Sequence, residues 1–224
     1  EIVRPDSPTQ RVSGTPSEGF AQVNHSTPML SLANAFNRND LKGWLERATA
    51  SISDKPFDLV CELKIDGLAV NLTYQKGIFT QGATRGDGTV GEVITQNLRT
   101  IKTIPLTLNN DFPEQVEVRG EVYLPIAEFK RLNAKRLENG QPLYANPRNT
   151  GAGSVRQLDP TVTASRNLEI WVYSLNSPIS FPDIDNHWDA LIRLGNLGFR
   201  INPHNKICRT IEEVFDFYDH WVEN

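Results

Sequence analysis

The stretch CELKIDGLAV, residues 61–70, sets Glu62, Lys64 and Asp66 two residues apart inside an otherwise apolar run. Side chains alternate across a strand, so the spacing predicts Glu62, Lys64 and Asp66 on one face, with Leu63 and Ile65 turned to the core. Gly67 then allows a ligand or another backbone to come close, and Leu68, Val70 and Leu72 resume the core face. One reading is a half-exposed edge strand whose ion-pair ladder contributes about 0.2–1 kcal/mol per pair. The other makes Lys64 a nucleophile. An ordinary lysine is almost wholly protonated at neutral pH, and flanking carboxylates hold the proton on. A nucleophilic Lys64 therefore needs opposing cations, either nearby arginines or a bound divalent metal, and the sequence offers arginines, notably Arg85, Arg119, Arg148 and Arg156.

Outward from this stretch, FDLVCEL reads as a strand, and LAVNLTY and GIFTQGAT flank QKG as a hairpin. VEVRGEVYL and LEIWVYSL are further strands. A helix is expected behind Asn39 or Asp40, with Leu41, Trp44, Leu45, Ala48 and Ile52 at helical spacing. Thr89 and Glu92 have the spacing of a capping box, predicting a helix through Val93, Ile94 and Asn97; Thr210 and Glu213 predict a second box. PIAEFKRLNAKRLENG reads as a helix with Pro125 near its start and Gly140 past its end. Another, around Trp188, Leu191 and Ile192, stops at Gly198. Strands and helices mix without strict βαβ alternation, which predicts α+β, mainly antiparallel sheets with flanking helices. Prolines 5, 8, 16 and 28 predict an extended segment over residues 1–30, packed on a domain spanning 31–224. The apolar stripe Ile211, Val214, Phe215, Tyr218, Trp221 and Val222 runs to the chain's end without a cap, and there is no starting methionine. The expectation is an excised piece of a longer protein.

Composition excludes several classes. With 224 residues, 38% of them hydrophobic, the chain can bury a substantial core. No apolar run approaches the roughly 20 residues of a membrane span. Cys61 and Cys208 lie far apart with no CxxC pattern, so neither a zinc site nor a disulfide framework is indicated, and a reducing, cytoplasmic setting fits. The net charge of −4 argues against simple coating of nucleic acid. Yet residues 119–166 hold eight Lys/Arg against four acids, a local excess suited to phosphates or to a solvated helix face.

ELKIDG is followed, in order, by ATRGDGTVGE, EVRGEVYLP, YANPRNTGAGSVRQLD and LEIWVYSL. Five ordered motifs are hard to obtain by accident. With them the chain resembles the adenylation domain of bacterial NAD-dependent DNA ligases, within the covalent nucleotidyltransferase superfamily, from SPTQRV to at least Tyr173. The resemblance implies an ATP-grasp-like ligase catalytic core, incomplete at its C-terminus. It implies that Lys64 attacks the α-phosphate of NAD and carries AMP, which passes to the 5′-phosphate of nicked double-stranded DNA before a 3′-hydroxyl seals the nick. By the same resemblance Asp66 supports the lysine, Glu62 and Ile65 line the adenine side, and Ser31 and Leu32 contact the nucleotide. Arg85 and Glu121 hold its phosphate or ribose, and Tyr173 stacks on adenine. Arg148 and Arg156 contact DNA, with Arg156 also serving AMP transfer; the small residues Gly151 to Ser154 allow close approach to a phosphate backbone. Mg²⁺, the remaining ligase domains and a bacterial, nucleoid-associated location are implied too, with no metal ligand assigned. Lysine motifs of DGxVxK type are not found, since Lys206 is the only lysine after Lys135. The 224 residues alone are therefore expected not to seal nicks, and to adenylylate weakly if at all.

Two rivals remain. GDGTVG, residues 86–91, fits a dinucleotide-binding GxGxxG, but it follows a hairpin strand and lacks a parallel βαβ continuation. An ATP- or GTP-using nucleotidyltransferase would share KxDG without ANPRN and GSVRQLD, and a third possibility is a fragment that binds nucleotide or DNA without catalysis.

Overall fold

A computed structural model describes residues 19–52, 56–109, 111–176 and 181–223. The chain divides into two units, one of Glu1–Met29 and Lys64–Asn202, the other of Leu30–Leu63 and Pro203–Asn224. The division falls inside CELKIDGLAV, between Leu63 and Lys64.

In the larger unit, β3 (Leu68–Gln75) and β4 (Ile78–Thr84) form the expected hairpin. Its connection, Lys76 and Gly77, has both φ angles positive, the geometry whose twist matches that of the flanking strands. β6 (Gln115–Tyr123) pairs with β3, and β7 (Glu169–Leu175) with β6. The resulting antiparallel sheet has the order β4-β3-β6-β7. Val70, Leu72 and Tyr74 of β3, Val116, Val118 and Val122 of β6, and Ile170 and Val172 of β7 are fully buried along one face. Phe199, just past α6 (His187–Asn196), meets the Tyr74 ring edge-on at 5.3 Å. Gly198 ends that helical segment with φ of +99°, as expected of a glycine stop. α3 (Ile126–Glu138) likewise ends before Gly140 in the left-handed region. The family of elements is α+β with antiparallel sheets, as the sequence predicts.

Three local expectations are corrected. Residues 61–70 are not one strand: β2 (Leu59–Cys61) ends before Glu62, and residues 62–67 are irregular. β2 pairs with β8 (Lys206–Cys208) of the smaller unit, whereas β3 pairs with β4 and β6, so no partner continues across Glu62 to Gly67. Thr89 and Glu92 do not cap a helix either. β1 (Gln22–Asn24) claims β5 (Val90–Glu92) as a strand, and α2 (Thr95–Arg99) starts at Thr95 with no side-chain cap. The cap of α1 (Arg38–Ser51) is Asn37, whose side chain accepts from the Asp40 amide at 2.9 Å; Asp40 returns the favour to the Phe36 amide. The glycine-rich NPRNTGAGSV is a helix, α4 (Pro147–Val155), capped by Asn146 with Pro147 in its first turn. Gly151 is buried there, where a Cβ would meet Leu124 at ordinary contact distance. α5 (Pro160–Ala164) follows. Of the extended segment expected over residues 1–30, the first eighteen lie outside the described residues.

In the smaller unit α7 (Ile211–Glu223) begins as predicted: the Thr210 hydroxyl accepts from the Glu213 amide at 3.2 Å, while the Glu213 carboxylate reaches the Arg209 amide. Arg38 lies 4.7 Å from the Phe215 ring centre and pairs with Asp219. Burial, with a contact to Cys208, pushes the Cys61 thiol up to about 12, which leaves almost no thiolate for nucleophilic chemistry at neutral pH.

Candidate functional site

The second face of the four-stranded sheet is polar. Register places Ala69, Glu121 and Trp171 on one rung and Tyr123 opposite Glu169, while Arg119 and Tyr173 share that face further along. Lys64 and Asp66 are exposed in the irregular link that enters β3, and Ile65 between them is half-buried. The link is held down at Gly67. A Cβ there would overlap the Val122 carbonyl, so only glycine permits this approach, and the Gly67 amide donates to Glu121 Oε1 at 3.2 Å.

Glu121 is half-buried, and that burial pushes its carboxyl above the usual carboxylate range, an effect that Lys64 and Arg148 oppose and Asp66 reinforces. Arg148, in the first turn of α4, pairs with Asp66 at 3.2 Å. Lys64, Asp66, Glu121 and Arg148 therefore form one electrostatic cluster at the head of the polar face. An amine, a guanidinium and two carboxylates so disposed can hold an anionic phosphate beside a nucleophile.

Other expected residues stand elsewhere. Arg85 lies in the turn after β4; its amide donates to the Ala69 carbonyl at 3.0 Å, tying the turn to β3. Asp87 shapes that turn by accepting from the Thr89 and Val90 amides at 2.8 Å each, bonds that hold its carboxyl below the ordinary range. Tyr173 is half-buried on the polar face, two residues along β7 from Trp171. Arg156, at the end of α4, forms a two-pronged pair with Glu92, at 2.7 and 2.8 Å, and does not join the Lys64 cluster. Ser31, Leu32 and Glu62 belong to the smaller unit. There Ser31 and Leu32 are exposed, and Glu62 accepts from Asn205 at 3.3 Å.

Sequence reasoning missed a closed circuit on the polar face. Tyr123 donates to Glu169 at 2.8 Å, Arg200 pairs with the same carboxylate at 2.6 Å, and the Arg200 guanidinium lies 4.2 Å from the Trp171 ring centre. Trp171 and Tyr123 are nearly parallel, their centres 6.3 Å apart. Burial, then the Glu169 bond, pushes the Tyr123 phenol up to about 12. It also missed Glu117, which is buried although charged. The alternation of VEVRGEVY carried the signal for Glu117, since every second residue there is polar or aromatic.

Residues 17–224 match the family described as the NAD-dependent DNA ligase adenylation domain. Curated relatives include the DNA ligases of Desulforudis audaxviator (54% identical), Lysinibacillus sphaericus (53%) and Dehalococcoides mccartyi (50%), each aligned over the whole of this chain. The chain spans about a third (33%) of the length of those relatives. It belongs to the NAD-dependent DNA ligase adenylation domain family.

Proposed function

We propose that this domain carries out nucleotide transfer for an NAD-dependent DNA ligase, with Lys64 as the nucleophile. The observation that carries the reading is the placement of an exposed Lys64 beside a half-buried Glu121, with the Asp66–Arg148 pair next to both. The exposed Lys64 Nζ, after giving its proton to solvent, attacks the α-phosphate of NAD. A P–N bond forms, the bond from that phosphorus to the bridging oxygen breaks, and nicotinamide mononucleotide leaves with the electron pair. Arg148 draws charge from Asp66, and together with the incoming phosphate's other cationic contacts it eases removal of the lysine proton. Glu121 holds the nucleotide, Arg85 donates to phosphate, and Tyr173 offers its face to adenine. Ser31, Leu32, Glu62 and Ile65 supply further nucleotide contacts.

AMP then passes from Lys64 to the 5′-phosphate of nicked double-stranded DNA, and the 3′-hydroxyl displaces it. Arg148 and Arg156 are assigned to the DNA backbone, Arg156 after exchanging Glu92 for phosphate. Among the described residues no three His, Cys, Asp or Glu side chains gather into a metal cage. Mg²⁺ needs less than that, since it keeps several waters and uses one or two carboxylates together with substrate phosphates. Asp66 and Glu121 would hold it, and it would supply positive charge to the phosphoryl oxygens. Further ligase domains and a bacterial cytoplasmic, nucleoid-associated setting complete the reading.

The test is an intact-mass spectrum after incubation with NAD and Mg²⁺. A slow gain of one AMP, absent in Lys64→Ala and not produced by ATP, is the expected result. A gain with ATP alone, or an undiminished gain in Lys64→Ala, would overturn the assignment.

A further inference from the structure

Residues 25–29 cross the larger unit as a strap that is tied alternately to two different bodies. His25 and Met29 hold the turn that carries Arg85: the His25 amide donates to the Thr89 carbonyl at 2.9 Å, its Nε2 lies 3.1 Å from the Arg85 carbonyl oxygen, and the Met29 amide donates to Gly88 at 2.8 Å. Gly88 has φ of +98° and no room for a Cβ against the Met29 carbonyl. Between these ties, Ser26 and Thr27 hold the sheet. Ser26 Oγ donates to Glu117 Oε2 at 2.5 Å, and Arg119 Nη2 donates to the Thr27 carbonyl at 2.5 Å.

Glu117 also accepts from Asn71 Nδ2 at 2.6 Å, so its two oxygens join strap and β3. The Asn176 amide, oriented to satisfy both its ends, presents Oδ1 to Arg119 Nε and Nη2 at 2.7 and 2.6 Å. Burial lowers the Arg119 guanidinium from its ordinary range, and the nearby Glu117 carboxylate opposes that shift. The buried half of this network, Glu117 with Asn71, is a poor source of stability, because apolar residues of similar volume would serve as well or better. What it supplies is a fixed geometry, at a place flanked by Val116 and Val118 where packing alone would have filled the sheet.

We propose that Glu117 and Arg119 are positioning residues of the nucleotide site, clasping the strap so that the Arg85 turn is held in place before nucleotide arrives. This rests on the reading of the polar face as that site. The 224-residue chain and its Ser26→Ala, Glu117→Gln, Arg119→Met and Arg119→Lys variants are compared in two ways. The first is the NAD concentration giving half-maximal AMP gain, alongside the maximal rate. Loss of a charge-assisted bond predicts about a tenfold rise in half-saturating NAD for Arg119→Met. The maximal rate should hold within about twofold, the sign of lost uniform binding, with partial recovery in Arg119→Lys. The second is amide hydrogen exchange, where Ser26→Ala and Glu117→Gln should speed exchange in residues 85–90 and leave the central amides of β3 and β6 unchanged.

Unchanged exchange in that turn would overturn the clasp, and so would a uniform increase across the sheet with rate and affinity falling together. If the parent chain takes no AMP from NAD, these 224 residues do not carry out the first step by themselves, and exchange in residues 85–90 still decides whether the clasp exists.

Discussion

The two faces of the β4-β3-β6-β7 sheet are made by the same strands in the same register, yet they do different work. One face is Val70, Leu72, Tyr74, Val116, Val118, Val122, Ile170 and Val172, all sealed from water. The other carries Asn71, Glu117, Arg119, Glu121, Tyr123, Trp171 and Tyr173, each with a hydrogen bond, ion pair, ring contact or electrostatic partner. A one-residue slip would exchange the faces, so the apolar side specifies register for both. Burial thereby frees the polar side to place charges where chemistry needs them, provided each buried polar group finds a partner.

Breaking the apolar face should have the largest effect on stability. Leu72 is fully buried at the sheet's centre, and Leu72→Ala is expected to cost about 2–5 kcal/mol, from lost transfer energy and the cavity left behind. Urea unfolding measures it, and a loss below about 1 kcal/mol would mean that the face repacks freely, contrary to its role in holding register.

What was legible in the sequence follows the same division. The hairpin of β3 and β4, the helix ending before Gly140 and the Thr210 cap depend on neighbours in sequence, and they stand where local rules put them. The break at residues 62–67 depends on Cys208 and Val122, far along the chain, whose pairings no local pattern reports. Thr89 and Glu92 carry a genuine helix signal that lost to pairing with Gln22 to Asn24. Within the site, Lys64, Asp66, Glu121 and Arg148 were legible because motif order supplied them, and the structure brings all four together. Glu117 was not, because alternation shows which side chains share a face but not that residues 26 and 27 lie across it.

A smaller effect should separate the faces by pH. The folded-state carboxyl of Glu121 ionises above its ordinary value of 4.5 because of burial. Between that value and the raised one the folded chain binds more protons than the unfolded chain, so stability is present at low pH and falls as pH rises. Glu121→Gln removes this slope. The variant's stability relative to the parent should therefore increase as pH rises from the ordinary value of 4.5 through the raised one, by less than the Leu72→Ala loss. A relative decrease over that interval would show that Lys64 and Arg148 outweigh burial. The variant should also lose nucleotide affinity, which separates the stability gain from its functional cost.

The smallest stability effect belongs to Arg148. Its side chain is 62% exposed and that of its partner Asp66 72%, so water and salt screen the pair. Surface pairs of this kind contribute about 0–1 kcal/mol, and Arg148→Ala should fall in that range when measured by urea unfolding. Its worth lies in where it puts charge, beside Asp66 and within the field of Glu121. The same variant should slow AMP gain from NAD by far more than so small a stability change accounts for. Arg148→Lys should recover only part of the rate, since an ammonium restores charge without the planar fork that grips a carboxylate or phosphate in two places. Equal rates for parent and Arg148→Ala would reduce the pair to a surface contact and leave Lys64 to lose its proton by the phosphate's own arrangement of cations. A large stability loss would be as informative, because it would assign α4 and the Asp66 link to the packed half of the molecule rather than to its polar face.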